Sequence, residues 1–235
     1  MRNNKRVVVV IPALNEAAAL PGVLGAIPGW VDKIIVADNN STDNTAITSE
    51  KYGAQVIHEA RRGYGWACQA GIDAASEADI LVFLDGDGSD YPEVMADLVD
   101  PIAEDKTDFV VGSRTRGTCE PGALNIYQRA GNGLACWLIR LRWGHRYSDL
   151  GPFRAIRRSQ LLALSMSQMT FGWTVEMQIR ALRANISILE VPINYRRGLG
   201  RSKVSGTLRG VLSAGYFILR VIASESIRGP IGARP

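Results

Sequence analysis

Residues Leu81 to Leu84 are a short apolar run that stops abruptly at Asp85-Gly86-Asp87-Gly88-Ser89-Asp90. The apolar half reads as a buried strand, and the acidic half as a loop at its carboxyl end. Side chains alternate along a strand, so Asp85 and Asp87 are expected on one side if the extended backbone continues. Two such carboxylates repel unless a cation lies between them or one holds a proton. Hard oxygen ligands in this setting suit Mg²⁺ or Mn²⁺ carrying a phosphorylated substrate. Asp-Gly is also an ordinary turn sequence, so the surrounding pattern has to decide between a turn and a site.

That pattern alternates strands and helices. Val7 to Ile11 is a β-branched run, and Asn15 to Leu24 has helical spacing. Lys33 to Ala37 reads as a second buried strand ending at Asp38. Ser41-Thr42-Asp43-Asn44 then supplies capping residues for a helix over Thr45 to Tyr52. Gln55 to His58 reads as a strand, Gly65 to Ala75 as a helix, Ile80 to Leu84 as the central strand, Pro92 to Ile102 as a helix opened by proline, and Asp108 to Gly112 as another strand. This βαβα rhythm predicts an α/β fold: one mainly parallel sheet with helices on both faces. Ligands of such sheets sit beyond the carboxyl ends of the strands, where Asp38, Asp85 and Asp87 fall.

The second half changes character. Tyr127 to Leu141 reads as a long helix mixing Trp137 and Leu138 with Arg129 and Arg140. Ser148 to Arg154 reads as a turn-rich loop, and Thr174 to Ala184 as a helix with Glu176 near its start. Ile186 to Tyr195 reads as a strand placed at a sheet edge by Pro192. Gly198 to Gly206 is a basic, glycine-rich loop, and Leu208 to Ile222 an apolar helix before a Gly/Pro tail. The expected organisation is a catalytic domain over 1–206 and an amphipathic helix with a mobile tail over 207–235.

Composition narrows the function classes. The net charge of +4 fits a phosphorylated substrate or an anionic membrane surface. No Lys/Arg run or recognition motif argues for nucleic acid. The three cysteines, Cys68, Cys119 and Cys136, form no C-x-x-C pair, which disfavours zinc and a disulfide framework. His58 and His145 show no triad or metal spacing. No stretch reaches the roughly 18 apolar residues of a membrane span. The expectation is a cytoplasmic protein, or one peripheral on the cytoplasmic face of a membrane.

Four segments in order, Val10-Ile11-Pro12-Ala13-Leu14-Asn15-Glu16, Asp38-Asn39-Asn40-Ser41-Thr42-Asp43, Asp85-Gly86-Asp87 and Gly112-Ser113-Arg114, resemble the family 2 glycosyltransferases with the GT-A fold. Gln128-Arg129, Asp149-Leu150-Gly151-Pro152-Phe153-Arg154, Glu190-Val191-Pro192 and Arg201-Ser202-Lys203 narrow the resemblance to the polyprenyl-phosphate mannose and glucose synthases. The resemblance implies that Pro12, Asn15, Glu16, Asp38 and Asp85 hold a nucleotide diphosphate sugar of the GDP-mannose or UDP-glucose type. It implies that Asp87, with Asp85, holds Mg²⁺ or Mn²⁺, and that Arg114, Arg129, Arg201 and Lys203 bind the phosphate of a polyprenyl phosphate. Asn39 departs from relatives that carry an acid there, and Asn132-Gly133 from relatives with a serine after the arginine.

The candidates nearest the chemistry are Asp87, Arg114 and Asp149. Asp149 is read either as a base toward a sugar hydroxyl or as an orienting group for an arginine. A phosphate acceptor, with a second pKa of about 6, needs no base. The rival readings are a family 2 transferase with a hydroxyl acceptor and a non-catalytic nucleotide-sugar-binding subunit. A dehydrogenase is disfavoured because no G-x-G-x-x-G follows the first strand. The expected partners are the donor, the lipid phosphate and a membrane surface, with a second copy of the chain or a membrane-anchor subunit left open.

Overall fold

Valine and isoleucine dominate the central strands because both faces of the sheet are covered, and such strands read as continuous apolar runs. In the computed structural model, β1 (Val7–Ala13) is buried along its whole length. Its neighbours are β2 (Lys33–Asp38) on one side and β4 (Ile80–Phe83) on the other, both parallel to it, with β3 (Gln55–His58) parallel outside β2. The structure describes residues 1–199 and 208–228.

The full sheet has seven strands in the order β3-β2-β1-β4-β6-β5-β7. β5 (Phe109–Ser113) and β7 (Ile188–Pro192) pair in parallel. Between β4 and β5 lies β6 (Arg154–Arg157), antiparallel to both. The sequence predicts a turn-rich loop up to Arg154 and no strand after it, whereas β6 begins at Arg154. Only Ala155 and Ile156 are apolar in β6, too short a run for alternation to register. β7 does occupy the edge that Pro192 predicts. It is shorter than the predicted Ile186 to Tyr195, because the chain leaves the ladder after Pro192 and Tyr195 keeps only an isolated bridge to Cys119.

The alternation of β1 divides the core. Val7, Val9 and Ile11 pack with α1 (Leu20–Ala26) and α4 (Met95–Ala103), the latter entered through a 3-10 turn at Pro92–Val94. Val8 and Val10 face α3 (Tyr64–Ala74) and Trp173 and Met177 of α7 (Trp173–Arg183). The remaining helices are α2 (Thr45–Lys51), α5 (Ile126–Trp143), α6 (Arg158–Ala163) and α8 (Leu208–Ser226). α5, α7 and α8 enclose a third apolar cluster around Ile139, Ile179 and Val221.

α1 starts at Leu20, not at Asn15 as helical spacing predicts. Asn15 has φ of 53°, in the left-handed region, and its side chain accepts from Thr42 N at 2.7 Å. Asn15 N and Glu16 N donate to Ser41 Oγ and Thr45 Oγ1 at 2.9 and 2.8 Å. Residues 15–19 therefore form a loop tied to the start of α2, which brings the ends of β1 and β2 together.

Candidate active site

A cavity of about 670 Å³ lies beyond the carboxyl ends of β1 and β4. Pro12, Ala13, Leu14 and Glu16 form its floor, and Asp85, Gly86 and Asp87 its acidic wall. Arg62, Gly63 and Tyr64 close one side, with Asn125 and Gln128 at the start of α5 opposite. Phe171, Tyr195, Arg197 and Leu199 complete the surround.

The acidic wall is set by a turn rather than by strand alternation. β4 ends at Phe83, and Gly88 with φ of 78° reverses the backbone after Asp87. Both carboxylates nonetheless line the same cavity. Asp87 Oδ1 accepts from Ser89 N at 2.9 Å and Ser89 Oγ at 2.6 Å, so the serine hydroxyl serves the carboxylate. Asp85 Oδ1 accepts from Tyr64 Oη at 3.2 Å. Burial, then the neighbouring Asp87 charge, pushes the Asp85 carboxyl up to about 7. Asp90 is buried behind them, and burial followed by the Asp85 charge pushes it up to about 8.

Asp90 Oδ1 has no hydrogen-bond partner among the described residues. This cluster of crowded carboxylates, with two carboxyls driven toward neutrality and an unpartnered oxygen, is a donor set whose chemistry fits a divalent cation. Among the described residues no three His, Cys, Asp or Glu side chains form a closed metal cage.

Of the residues expected to hold a donor, Pro12, Glu16 and Asp85 meet at the cavity, whereas Asn15 and Asp38 are not among its lining residues. Asp38 is buried; its Oδ1 accepts from Ser41 N at 3.1 Å, and Oδ2 lies 3.2 Å from His58 Nδ1. Asn39 uses its amide fully: Nδ2 donates to Glu59 O at 3.0 Å and Arg61 O at 2.7 Å, and Oδ1 accepts from Gly63 N at 2.8 Å. An aspartate there would lose both donated bonds, which explains the amide at this position. Arg61 is clamped by Glu59 and stacks on Trp66 at 3.6 Å.

The buried Asp149 and the largely buried Arg114 form an ion pair, Nε–Oδ2 2.7 Å and Nη2–Oδ1 2.8 Å. Asp149 also accepts from Arg114 N and Leu150 N, both at 2.8 Å. Burial would lower the Arg114 pKa, but the Asp149 hydrogen bonds and charge prevail and raise it. The guanidinium lies 5.1 Å from the centre of the Tyr195 ring, so Arg114 stands one aromatic layer behind the cavity. Arg129 is exposed on the first turn of α5, its Nε donating to Leu124 O at 3.3 Å. Arg201 and Lys203 lie outside the described residues. Glu176 is buried and structural, accepting from Ser167 N and Gln168 N.

The sequence reading missed Arg62, Tyr64, Phe171, Tyr195 and Arg197 as cavity residues. A signal existed for the first two: Arg-Arg-Gly-Tyr-Gly places two glycines around Tyr64. A Cβ on either Gly63 or Gly65 would collide with the backbone of residues 168–169. Gln128, in the Gln-Arg pair, both lines the cavity and closes the capping box with Asn125.

A mainly parallel sheet with a carboxylate pair at the end of its central strand is the arrangement of a GT-A nucleotide-sugar enzyme. The family model "Glycosyl transferase family 2" matches residues 8–164, and the chain belongs to that family. It is a glycosyltransferase. An uncharacterized glycosyltransferase of Mycobacterium tuberculosis is 38% identical over 225 residues, covering 92% of this chain and 98% of its relative. An undecaprenyl-phosphate mannosyltransferase of Micrococcus luteus is 31% identical over 224 residues, covering 87% and 90%. Glucosyl-3-phosphoglycerate synthase from Mycobacterium tuberculosis, solved with Mn²⁺ and UDP-glucose, shares the fold with a TM-score of 0.73 at 24% identity, covering 95% of this chain and 79% of that one.

Proposed function

We propose that the chain transfers a hexose, with inversion, from a nucleotide diphosphate sugar of the GDP-mannose or UDP-glucose type to a polyprenyl phosphate, using Mg²⁺ or Mn²⁺. One observation carries this reading. The carboxylates Asp85 and Asp87 open into a cavity bordered by Phe171 and Leu199, beside the turn of α5 that exposes Ile126 and Tyr127. A polar reacting end with an apolar way out suits a lipid phosphate. The mannosyltransferase relative acts, by its name, on such an acceptor.

Asp87, with Asp85, would hold the cation, which when bound neutralises charge developing on the diphosphate leaving group. Pro12 and Glu16 seat the donor from below, while Asn39 and Tyr64 keep the 59–65 segment against it. Asp38 stiffens the loop behind. An acceptor phosphate oxygen forms the new bond at the anomeric carbon from one face as the bond to the diphosphate breaks on the other. Both Asp149 oxygens are occupied by Arg114 and backbone N–H groups. Asp149 is therefore an orienting group, and a dianionic phosphate needs no base in its place. Arg114 contributes a fixed positive charge from behind Tyr195. Arg129, Arg201 and Lys203 are assigned to the acceptor phosphate.

The acceptor's membrane is met by an apolar, basic face. α5 exposes Tyr127, Leu134, Trp137 and Leu141 at helical spacing, carries Arg129, Arg140 and Arg142, and has no acidic residue. Tyr216 and Leu219 of α8 are exposed as well. Among the described residues, no helix is long and apolar enough to cross a membrane.

The test is a screen of UDP-glucose, GDP-mannose and related donors against a short prenyl phosphate with Mg²⁺ or Mn²⁺. Formation of an inverted prenyl-phosphate hexose is expected. Transfer to 3-phosphoglycerate or a sugar hydroxyl, with prenyl phosphate inert, would overturn the acceptor assignment.

A further inference from the structure

Arg180, on α7, is buried and spends its guanidinium on one irregular segment. Nη1 donates to Leu164 O at 3.0 Å and to Ser165 O, and Nη2 to Ser167 Oγ at 2.9 Å. Glu176 receives the same segment from the other side, through Ser167 N at 3.0 Å, Ser167 Oγ at 2.5 Å and Gln168 N at 2.7 Å. Glu176 also pairs with Arg180 Nη2 at 2.9 Å. The remaining charge comes from Glu225 on α8, which is 2% exposed, lies 3.1 Å from Arg180 Nη2, and also pairs with Arg183 and Arg228. A polar network this buried holds one arrangement when fully paired and is costly to leave incomplete.

The segment so fixed continues into the cavity. Met169 O accepts from Trp66 N at 3.2 Å, at the start of α3. Gly63 and Gly65 meet residues 168–169 too closely to carry a side chain. Tyr64, between those glycines, donates to Asp85, and Thr170 and Phe171 line the cavity itself. α8 touches the same segment a second time, through Phe217 against Phe171 at 6.3 Å between ring centres and Val221 against Gly172. An unbroken series of contacts therefore runs from Glu225 to the carboxylate wall.

We propose that Glu225 is a positioning residue for the donor site: through Arg180 it shapes residues 164–169, and these seat Tyr64 against Asp85. The inference rests on the donor-site reading above and extends it to a residue that is not among those lining the cavity. Coupling of this kind between a remote residue and a site is modest, and an effect of about tenfold is expected.

The experiment is calorimetric binding of UDP and of GDP, each with Mn²⁺, to the full chain and four variants, with thermal melts recorded alongside. Glu225→Gln and Tyr64→Phe should each weaken binding about tenfold, and their double variant by little more than either, because both act through one seat. Ser167→Ala, which removes a single hydroxyl from the network, should weaken it about threefold. It decides the question alone if Glu225→Gln fails to fold. Wild-type affinity in Glu225→Gln or Ser167→Ala, with only the melting temperature lowered, would overturn the inference while leaving the donor site intact. Independent, multiplying effects of Glu225→Gln and Tyr64→Phe would do the same. No binding of either nucleotide by the wild-type chain would overturn the donor-site reading, and this inference with it.

Discussion

Asp149, 35 residues beyond Arg114 in the chain, takes both prongs of its guanidinium at 2.7 and 2.8 Å, with the carboxylate fully buried and the arginine side chain 12% exposed. The pair joins the end of β5 to the loop before β6, and its positive half lies behind Tyr195 at the cavity. Two carboxylate oxygens filled by one fork and two backbone N–H groups leave no lone pair directed at a substrate.

Removing that charge should therefore hurt stability and placement rather than proton transfer. Asp149→Asn leaves Arg114 buried without its counter-ion, and a loss of about 3–5 kcal/mol of folding stability is expected. Denaturant titration measures it. The pH profile of residual kcat/KM should keep the wild-type shape. Loss of an acidic limb in that profile would instead identify Asp149 as a base.

Asp87 faces the cavity without a basic partner among the described residues, so its charge is available to a cation. Asp87→Asn keeps the size and removes the charge, and turnover should fall about 100-fold or more. Chelation of the wild-type chain should abolish activity, with recovery on adding Mn²⁺ or Mg²⁺. Undiminished turnover in EDTA would contradict the metal assignment.

The acidic cluster also predicts a pH dependence of stability. Asp85 titrates near 7 and Asp90 near 8 in the fold, against an ordinary value of 3.8. Between about pH 4 and 8 the folded chain thus holds more protons at these sites than the unfolded chain. Their contribution to stability falls as pH rises through that window. Asp90→Asn, which cannot ionise, should come closest to wild type below about pH 4 and become progressively the more stable of the two up to pH 8. Mn²⁺ should narrow the difference at pH 8. Equal denaturation midpoints at pH 8 without metal would contradict the clustering argument.

Arg129 is an exposed residue at the start of α5, next to Gln128 on the cavity wall. Arg129→Ala should raise KM for a prenyl phosphate about tenfold or more, the scale of a charged hydrogen bond, and leave the donor KM nearly unchanged. A change confined to the donor would reverse the assignment of this arginine.

Trp137 is 56% exposed and Leu141 72% exposed on a helix with basic and no acidic side chains. Flotation with anionic vesicles should recover the wild-type chain in a salt-sensitive manner. A Trp137→Ser/Leu141→Ser double variant should lose this binding and keep its melting temperature, since neither side chain is core. Retention of vesicle binding by that variant would assign membrane contact to another surface.

Much of the first half was legible in the chain because burial on both faces of a parallel sheet demands continuous β-branched runs, and carboxyl-end loops expose what those strands carry. Val7 to Ile11, Lys33 to Ala37 and Ile80 to Leu84 announced three strands, and Asp85 and Asp87 the acidic wall. The segments around Pro12, Asp38 and Arg114 carried the family. Pro192 announced an edge. These are local statements, enforced by residue type and spacing.

Tertiary structure alone decided the rest. β6 has two apolar residues and exists because β4 and β5 leave a gap that an antiparallel strand fills. Asn15 left the predicted helix because the 41–45 loop offered its backbone better partners. Asn39, a departure from the family pattern in the sequence, became a three-bond clamp only once Glu59, Arg61 and Gly63 folded around it. Asp149 found its partners, the Arg114 fork and two backbone N–H groups, only once the end of β5 met the loop before β6. Partner choice for a polar side chain depends on groups brought together from distant parts of the chain, and no local pattern of residue types encodes which of them will arrive.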